Sequence, residues 1–227
     1  MPTTSHRMAR ASRVIDYFRD APPPPIVLAY GIGVDSTALL VELDHRGTPP
    51  DLGLSADTGV EKPETYAYQS MMSAWMAARG IRYEVVRYVP KRFKHWPPYY
   101  DLLSNVLTNA PLPSISLGRH SCSLKWKIAP QDSFLKDWAP AREAWSRGQR
   151  VIRLIGYDAS PADTRRHAHA SAITDDRFEC RYPLREWGWE RSACIPRVDR
   201  PGLPVTPKSC HFICAGMHPA EVRASPA

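Results

Sequence analysis

The stretch Ile26 to Asp57 constrains the fold most strongly. An apolar run, IVLAY (Ile26–Tyr30), has the length and continuity of a buried parallel strand. It is followed at once by Gly31-Ile32-Gly33 and by a helical pattern from Asp35 to His45. A second strand pattern then covers Asp51 to Asp57. Strand, glycine-bearing turn, helix and strand in this order describe a βαβ unit, whose crossover demands a parallel sheet.

The alternation continues. Pro63 to Arg79 reads as a helix opened by proline in its first turn, and Tyr83 to Tyr88 as a third strand. Ser121 to Trp138 reads as a helix bent or divided at Pro130. Val151 to Tyr157 supplies a fourth strand and Phe178 to Leu184 a fifth. Pro90 to Pro113 and the chain from Arg185 onward show no clear period. The expectation is an α/β fold: a Rossmann-like parallel sheet with helices on both faces, plus an irregular Cys-, Trp- and Pro-rich C-terminal segment. Residues 1–25 are expected to form an N-terminal helix (11–20) and a stiff linker at Pro22 to Pro25, 26–184 the nucleotide-binding domain, and 185–227 a segment packed on that domain.

At 227 residues the chain suffices for one sizeable core but not for two full domains. No run approaches 18 apolar residues and the basic start, Met1 to Arg13, lacks an apolar signal core, so the expected location is cytoplasmic, with no membrane partner. Thirty Lys and Arg against 23 Asp and Glu give a formal charge of +7, which suits an anionic partner such as a nucleotide or nucleic acid. Oligomeric state is not legible.

Tyr30, Gly31, Gly33, Val34, Asp35, Ser36 and Thr37 lie between strand and helix, where backbone N–H groups and the positive end of a helix dipole converge on one point. The glycines permit close approach, and the Ser36 and Thr37 hydroxyls are candidate donors to phosphate oxygens. An ordinary strand-to-helix turn remains the alternative. The loop is neither a Walker loop nor a full dinucleotide fingerprint.

Gly31-Ile32-Gly33-Val34-Asp35-Ser36 resembles the PP-loop pattern Ser-Gly-Gly-x-Asp-Ser, with Gly31 for Ser and Ile32 for the first Gly. Three further segments are similar, in chain order, to motifs of the phosphoadenosine phosphosulfate (PAPS) reductase family. They are Asp57-Thr58-Gly59 with Pro63-Glu64-Thr65-Tyr66, Arg119-His120-Ser121-Cys122 with Lys125, and Gly156-Tyr157-Asp158 with Asp163 and Arg166. The resemblance covers roughly residues 26 to 215. It implies an adenine nucleotide alpha-hydrolase-like fold in the PP-loop superfamily, with ATP, PAPS or adenosine phosphosulfate (APS) on the loop. Asp57, Thr58, Gly59, Arg119, Lys125, Gly156, Asp158 and Arg166 would line the nucleotide, and Asp35, Arg166 and Cys214 would be the catalytic groups. Lys62, Lys127 and Arg165 are further candidate cations; each also reads as solvated charge.

Five cysteines in such a chain suggest metal ligands or reactive thiols more than a disulfide framework. Cys122, Cys194, Cys210 and Cys214 are the candidate ligands of a four-iron four-sulfur (4Fe-4S) cluster or of zinc, and Cys180 is a buried small hydrophobe in its strand. The tail also looks like a phage and bacterial subgroup ending in a Cys-rich motif, although Cys210 and Cys214 are one residue further apart than in that subgroup. A free catalytic Cys214 competes with the ligand reading. Magnesium is a further expected cofactor.

Three functions follow as expectations. The first is thiolate attack on a sulfonucleotide, giving sulfite, with a thioredoxin-like reductant as partner. A second is ATP-dependent sulfur insertion into a nucleic acid or small molecule, with pyrophosphate released and an iron–sulfur cluster carrying or activating sulfur from a donor. The last is non-catalytic nucleotide binding. For the second, the cations and aromatics of Lys91 to Tyr100 suit a nucleic acid, or else a surface loop.

Overall fold

A computed structural model describes residues 21–110, 115–116, 119–120, 122–204, 206–207 and 213–214, with the backbone alone at 115–116 and 119–120. The expected helix at 11–20 and Cys210 lie outside the described residues. The elements run β1 (Ile26–Ala29), α1 (Val34–His45), β2 (Leu52–Asp57), α2 (Pro63–Ala77), β3 (Arg82–Arg87), α3 (Leu102–Asn109), β4 (Ile115–Ser116) and β5 (Arg119–His120). A π-helical turn (Ser123–Ile128) leads into α4 (Ala129–Asp137), then α5 (Ala139–Ser146), β6 (Val151–Ile155), α6 (Pro161–Ser171), β7 (Phe178–Arg181), α7 (Pro183–Glu186) and α8 (Arg191–Asp199).

Five strands form one all-parallel sheet in the order β3-β2-β1-β6-β7, flanked by helices, which is a Rossmann-like arrangement. Successive side chains of a strand leave opposite faces, and β1 shows it: Leu28 enters the larger core with α1, α2 and α8, while Val27 enters a second core with Leu135, Trp138 and Ala141. The order reverses at β1, whose neighbours are β2 on one side and β6 on the other. In such sheets the crevice outside the carboxyl ends of the strands at this point receives ligands.

Helix α1 is buried on nearly every side, from Val34 through Leu43. Its apolar residues do not form one stripe because it has two apolar neighbours, the sheet and α8, which contributes the buried Cys194 and Val198. Glu42, also buried on α1, is held by Arg46 at 2.8 Å and by Arg197 of α8 at 3.2 Å. Paired this way, a buried carboxylate becomes a clamp between the two helices. The C-terminal segment is therefore integral to the core as far as α8, where the sequence suggested irregular chain.

Pro130 falls in the first turn of α4, directly after the π-helical residues, so the expected helix is divided there. Helix α3 lies inside the stretch without period; its signal is local, Asp101 capping the Ser104 N–H at 2.7 Å in a capping box.

Leu135 is fully buried in the second core. Leu135→Ala should lower stability by about 2–5 kcal/mol, whereas Leu107→Ala, at a position 73 % exposed, should stay within about 0.5 kcal/mol of the parent. Denaturant unfolding of the two variants checks the assignment of the core.

Candidate functional site

The loop after β1 is pinned from beneath. The Tyr30 N–H donates to Leu54 O at 2.9 Å, and Ser55 Oγ donates to Tyr30 O at 2.7 Å. Tyr83 OH donates in turn to Ser55 Oγ, and Gln69 Nε2 to Tyr83 OH. The Tyr30 hydroxyl pairs with Thr37 Oγ1 at 3.1 Å, and burial pushes its pKa far up. Thr37 is fully buried, so its hydroxyl supports the loop from within and does not face its mouth. Ser36 Oγ donates to Gly33 O at 3.1 Å.

Ile32 adopts the left-handed conformation, with φ +60, while Gly33 is extended at φ −95. Left-handed backbone is costly for a β-branched residue. The Ile32 side chain is buried in the larger core, so its packing offsets that cost. The position that departs from the PP-loop glycine is thus the one where the backbone would favour glycine.

Across the crevice Gly156 follows β6. A Cβ there would lie 3.0 Å from both the N and Cα of Ser36. This contact brings the β6 loop against the start of α1, and with it Asp158. Carboxylate oxygens of Asp35, Asp158 and Asp163 lie within 4.8 Å of one another. Asp158 Oδ1 accepts from the Ser160 N–H, and Asp163 accepts from the Asp158 N–H and from Arg166 at 3.1 Å. Arg191 of α8 approaches Asp35 at 3.7 Å.

Asp35 Oδ1, by contrast, is buried without a hydrogen-bond partner. Burial first, and then the charges of Asp158 and Asp163, raise the Asp35 pKa against the pull of Arg191 and of the neighbouring Cys194 thiol.

On the other side of the loop, Asp57 ends β2. Its carboxylate accepts from the Gly59 N–H at 2.7 Å, from Tyr66 OH at 2.9 Å and from the guanidinium of Arg87, its register partner on β3. These bonds hold the turn in shape. Gly59 is left-handed at φ +77 and meets Asp101 so closely that a Cβ would lie 2.5 Å from that side chain. Thr58 and Lys127 both bond Glu61 Oε1, at 3.1 Å each. Between this group and the loop lies a cavity of about 70 Å³, bordered by Tyr30, Gly31, Ile32, Glu61, Lys127 and Gln131. Ligand pockets usually measure about 300–1,000 Å³, so a nucleotide on the loop would lie mainly along the open crevice.

The cysteines divide. Cys194 is fully buried in the larger core beside Asp35, and its thiol is pushed up to about 12 by burial and then by Asp35 and Asp158. Cys122 belongs to a third cluster, with Val60, Tyr99, Leu102 and Trp126, against which Ile213 packs. Its thiol is raised by burial and by the nearby Cys214, and lowered by Lys127. Cys214 is half-buried, and Cys180, expected to be buried, is exposed within β7. Among the described residues Cys194 lies in the larger core and Cys122 in the third cluster; Cys210 lies outside the described residues.

Of the expected cations, Arg166 and Lys127 reach the site through Asp163 and Glu61. Lys125 lies instead among Tyr88, Tyr99 and Trp126, 5.3–5.5 Å from their rings. Lys62 caps α2 and Arg165 is exposed on α6. Of Arg119 the backbone alone is described, in β5. Glu61, Arg87 and Arg191 were not anticipated. The parallel register of β2 and β3 would have exposed the Asp57–Arg87 pair; Arg191 opens an unperiodic helix and gave no signal. No family model matches this sequence, and no curated protein matches it. Among the described residues no helix is long and apolar enough to cross a membrane.

Two substitutions test the geometry. Gly156→Ala should force the β6 loop away from Ser36 at a cost of about 1–3 kcal/mol, read by thermal unfolding. Asp35→Asn should raise the melting temperature at neutral pH by a few degrees. The folded-state pKa of Asp35 lies above its unfolded value, so its ionisation opposes folding above the folded pKa, and this penalty vanishes below the ordinary value of 3.8. Melts of parent and variant should therefore converge as pH falls through the folded pKa toward that value.

Proposed function

We propose that this chain is a PP-loop enzyme of the PAPS reductase kind, with an adenine nucleotide alpha-hydrolase-like fold. It would bind an adenine nucleotide at the β1–α1 loop and carry out sulfur chemistry on it. The observation that carries the reading is the meeting of that loop, the α1 N-terminus and Gly156 at the reversal of strand order. Backbone N–H groups at a helix start hold an anion without any specialised side chain. Lys127 and Arg166 border the same crevice and suit the charge of a phosphate or sulfate end.

Cys214 is the attacking thiol in this reading: it is half-buried, whereas Cys122 and Cys194 are buried and their thiols are raised. Its thiolate forms a bond to the sulfur of PAPS or APS, the sulfur–oxygen bond to the phosphate breaks, and the nucleotide leaves with that electron pair. A thioredoxin-like dithiol then attacks the Cys214 sulfur, sulfite departs with the electron pair of the sulfur–sulfur bond, and the mixed disulfide resolves to an oxidised dithiol and free Cys214. The reaction needs no iron–sulfur centre.

The acidic trio favours a second reading, ATP-dependent sulfur transfer. Three carboxylates beside an anion loop repel a nucleotide, and a divalent cation relieves that repulsion. The donors are oxygens suited to magnesium, and Asp35 Oδ1 lacks a partner. Asp35 and Asp158 would hold the ion, which would neutralise charge on the phosphates. Asp35 would orient it from the loop, and Arg166 would keep Asp163 directed toward Asp158.

An anaerobic assay separates the two. Sulfite from PAPS with thioredoxin, lost by at least 1,000-fold in Cys214→Ser with nucleotide binding retained, is the expected result (on the order of losses of a catalytic nucleophile). Pyrophosphate from ATP without sulfite would establish the second reading. Nucleotide binding with neither product would leave a non-catalytic binding protein.

A further inference from the structure

The segment joining β3 to α3 takes no part in the crevice described above, yet its chemistry is one-sided. Tyr88 to Tyr100 contains Lys91, Arg92, Lys94 and His95 and no acidic residue. Every residue from Lys91 to Pro97 is exposed. Three aromatic rings are presented among these cations: Trp96 is 84 % exposed, Tyr100 63 % and Phe93 39 %. Large aromatic surface left in water on a segment this basic has a cost that core packing does not recover.

The segment is also held in shape. Phe93 packs edge-on against Tyr99 at 5.2 Å and Tyr100 at 5.6 Å. Tyr99 is buried beside Cys122 and Trp126 in the third cluster, and Thr108 of α3 donates to Pro97 O at 3.2 Å. Asp101, the next acidic residue, is committed to capping α3. A fixed array of cations and open ring faces therefore stands beside the third cluster, which also borders the turn after β2 through the Leu102 N–H to Thr58 O bond.

We propose that Lys91 to Tyr100 is a platform for a single nucleic-acid strand, with Trp96 and Tyr100 stacking on bases and Lys91, Arg92 and Lys94 following the phosphates. Stacking with interleaved cations is the recurrent chemistry of single-strand recognition, and it tolerates sequence because every base has a π-face. A duplex hides those faces. An anionic membrane would need a continuous apolar face beneath the cations, and here the rings alternate with Lys, Arg and His. The platform is independent of the nucleotide reading, since it uses none of the loop residues.

The test is fluorescence anisotropy of the full chain with a dye-labelled 20-mer of oligodeoxythymidine, from 50 to 200 mM salt. Binding should weaken with a log–log salt slope of about −2, as for three phosphate contacts on a single strand. Trp96→Ala should weaken it about tenfold and Trp96→Phe should restore most of the loss, within the range for one stacked base. Lys91→Glu with Arg92→Glu and Lys94→Glu should abolish it. Adenine-nucleotide binding, followed separately by calorimetry with ATP, should be the same in all these variants, which keeps a failure of the platform distinct from a failure of the loop. Absence of oligonucleotide binding, indifference to Trp96→Ala, equal affinity for a duplex of the same length, or Trp96-dependent binding to phosphatidylserine vesicles without oligonucleotide binding would each overturn the proposal.

Discussion

The contact between Gly156 and the first turn of α1 is the constraint on which the site depends. Two parallel strands, β1 and β6, deliver their loops to one place because the sheet order reverses between them. A bare backbone at 156 lets those loops touch at Ser36. Had a side chain stood there, the crevice would open by roughly the width of a methyl group, and Asp158 would retreat from Asp35. The same contact aims the α1 N-terminus at the crevice, while α8 covers the far side of that helix and the Glu42 clamp prevents it from shifting.

Rigidity of this kind permits an unfavourable charge arrangement. Three carboxylates crowd together beside a loop suited to anions, and one of them, Asp35, has an oxygen without a partner. Arg191 and Arg166 offset part of the repulsion, but both are more than half exposed and so act through screened, weaker interactions. Left-handed Ile32 adds local backbone strain two residues before the helix. Strain and crowded like charge that gather where the fold is best anchored are characteristic of sites held ready for a ligand. The same features in a loosely packed loop would relax away.

What the sequence made legible follows from the range of its signals. Strands β1, β2 and β6 were recoverable because strands buried in a parallel sheet read as apolar runs, whereas β3 (RYEVVR) is an edge strand without a fully buried residue. Helix α6 was not recoverable, since PADTRRHAHAS has no apolar stripe and buries chiefly Asp163, a polar residue. Helix α8 was hidden by its internal Pro196 and by having only Cys194 and Val198 to bury. The loop at 30–37 was visible because its chemistry lies in consecutive residues. Arg191 and Glu61, which help to complete it, are brought in from other elements by topology, and a single chain read in order carries no record of such distances.

The described cysteines are distributed by that topology and not by their spacing in sequence. Cys194 sits 16 residues before Cys210 in sequence, a separation open to ligation, yet α8 turns its thiol into the core beside Asp35. There burial and the charges of Asp35 and Asp158 oppose its ionisation. Cys122, much further away in sequence, is the one close enough to feel the charge of Cys214. Thiol chemistry thus gathers at the third cluster, on the β2 side of the loop, and carboxylate chemistry gathers on the β6 side. A nucleotide lying across the reversal point of the sheet would have its phosphate end between the two. Under the two proposed readings, the side that meets the reacting atom would decide whether sulfur or phosphorus is attacked.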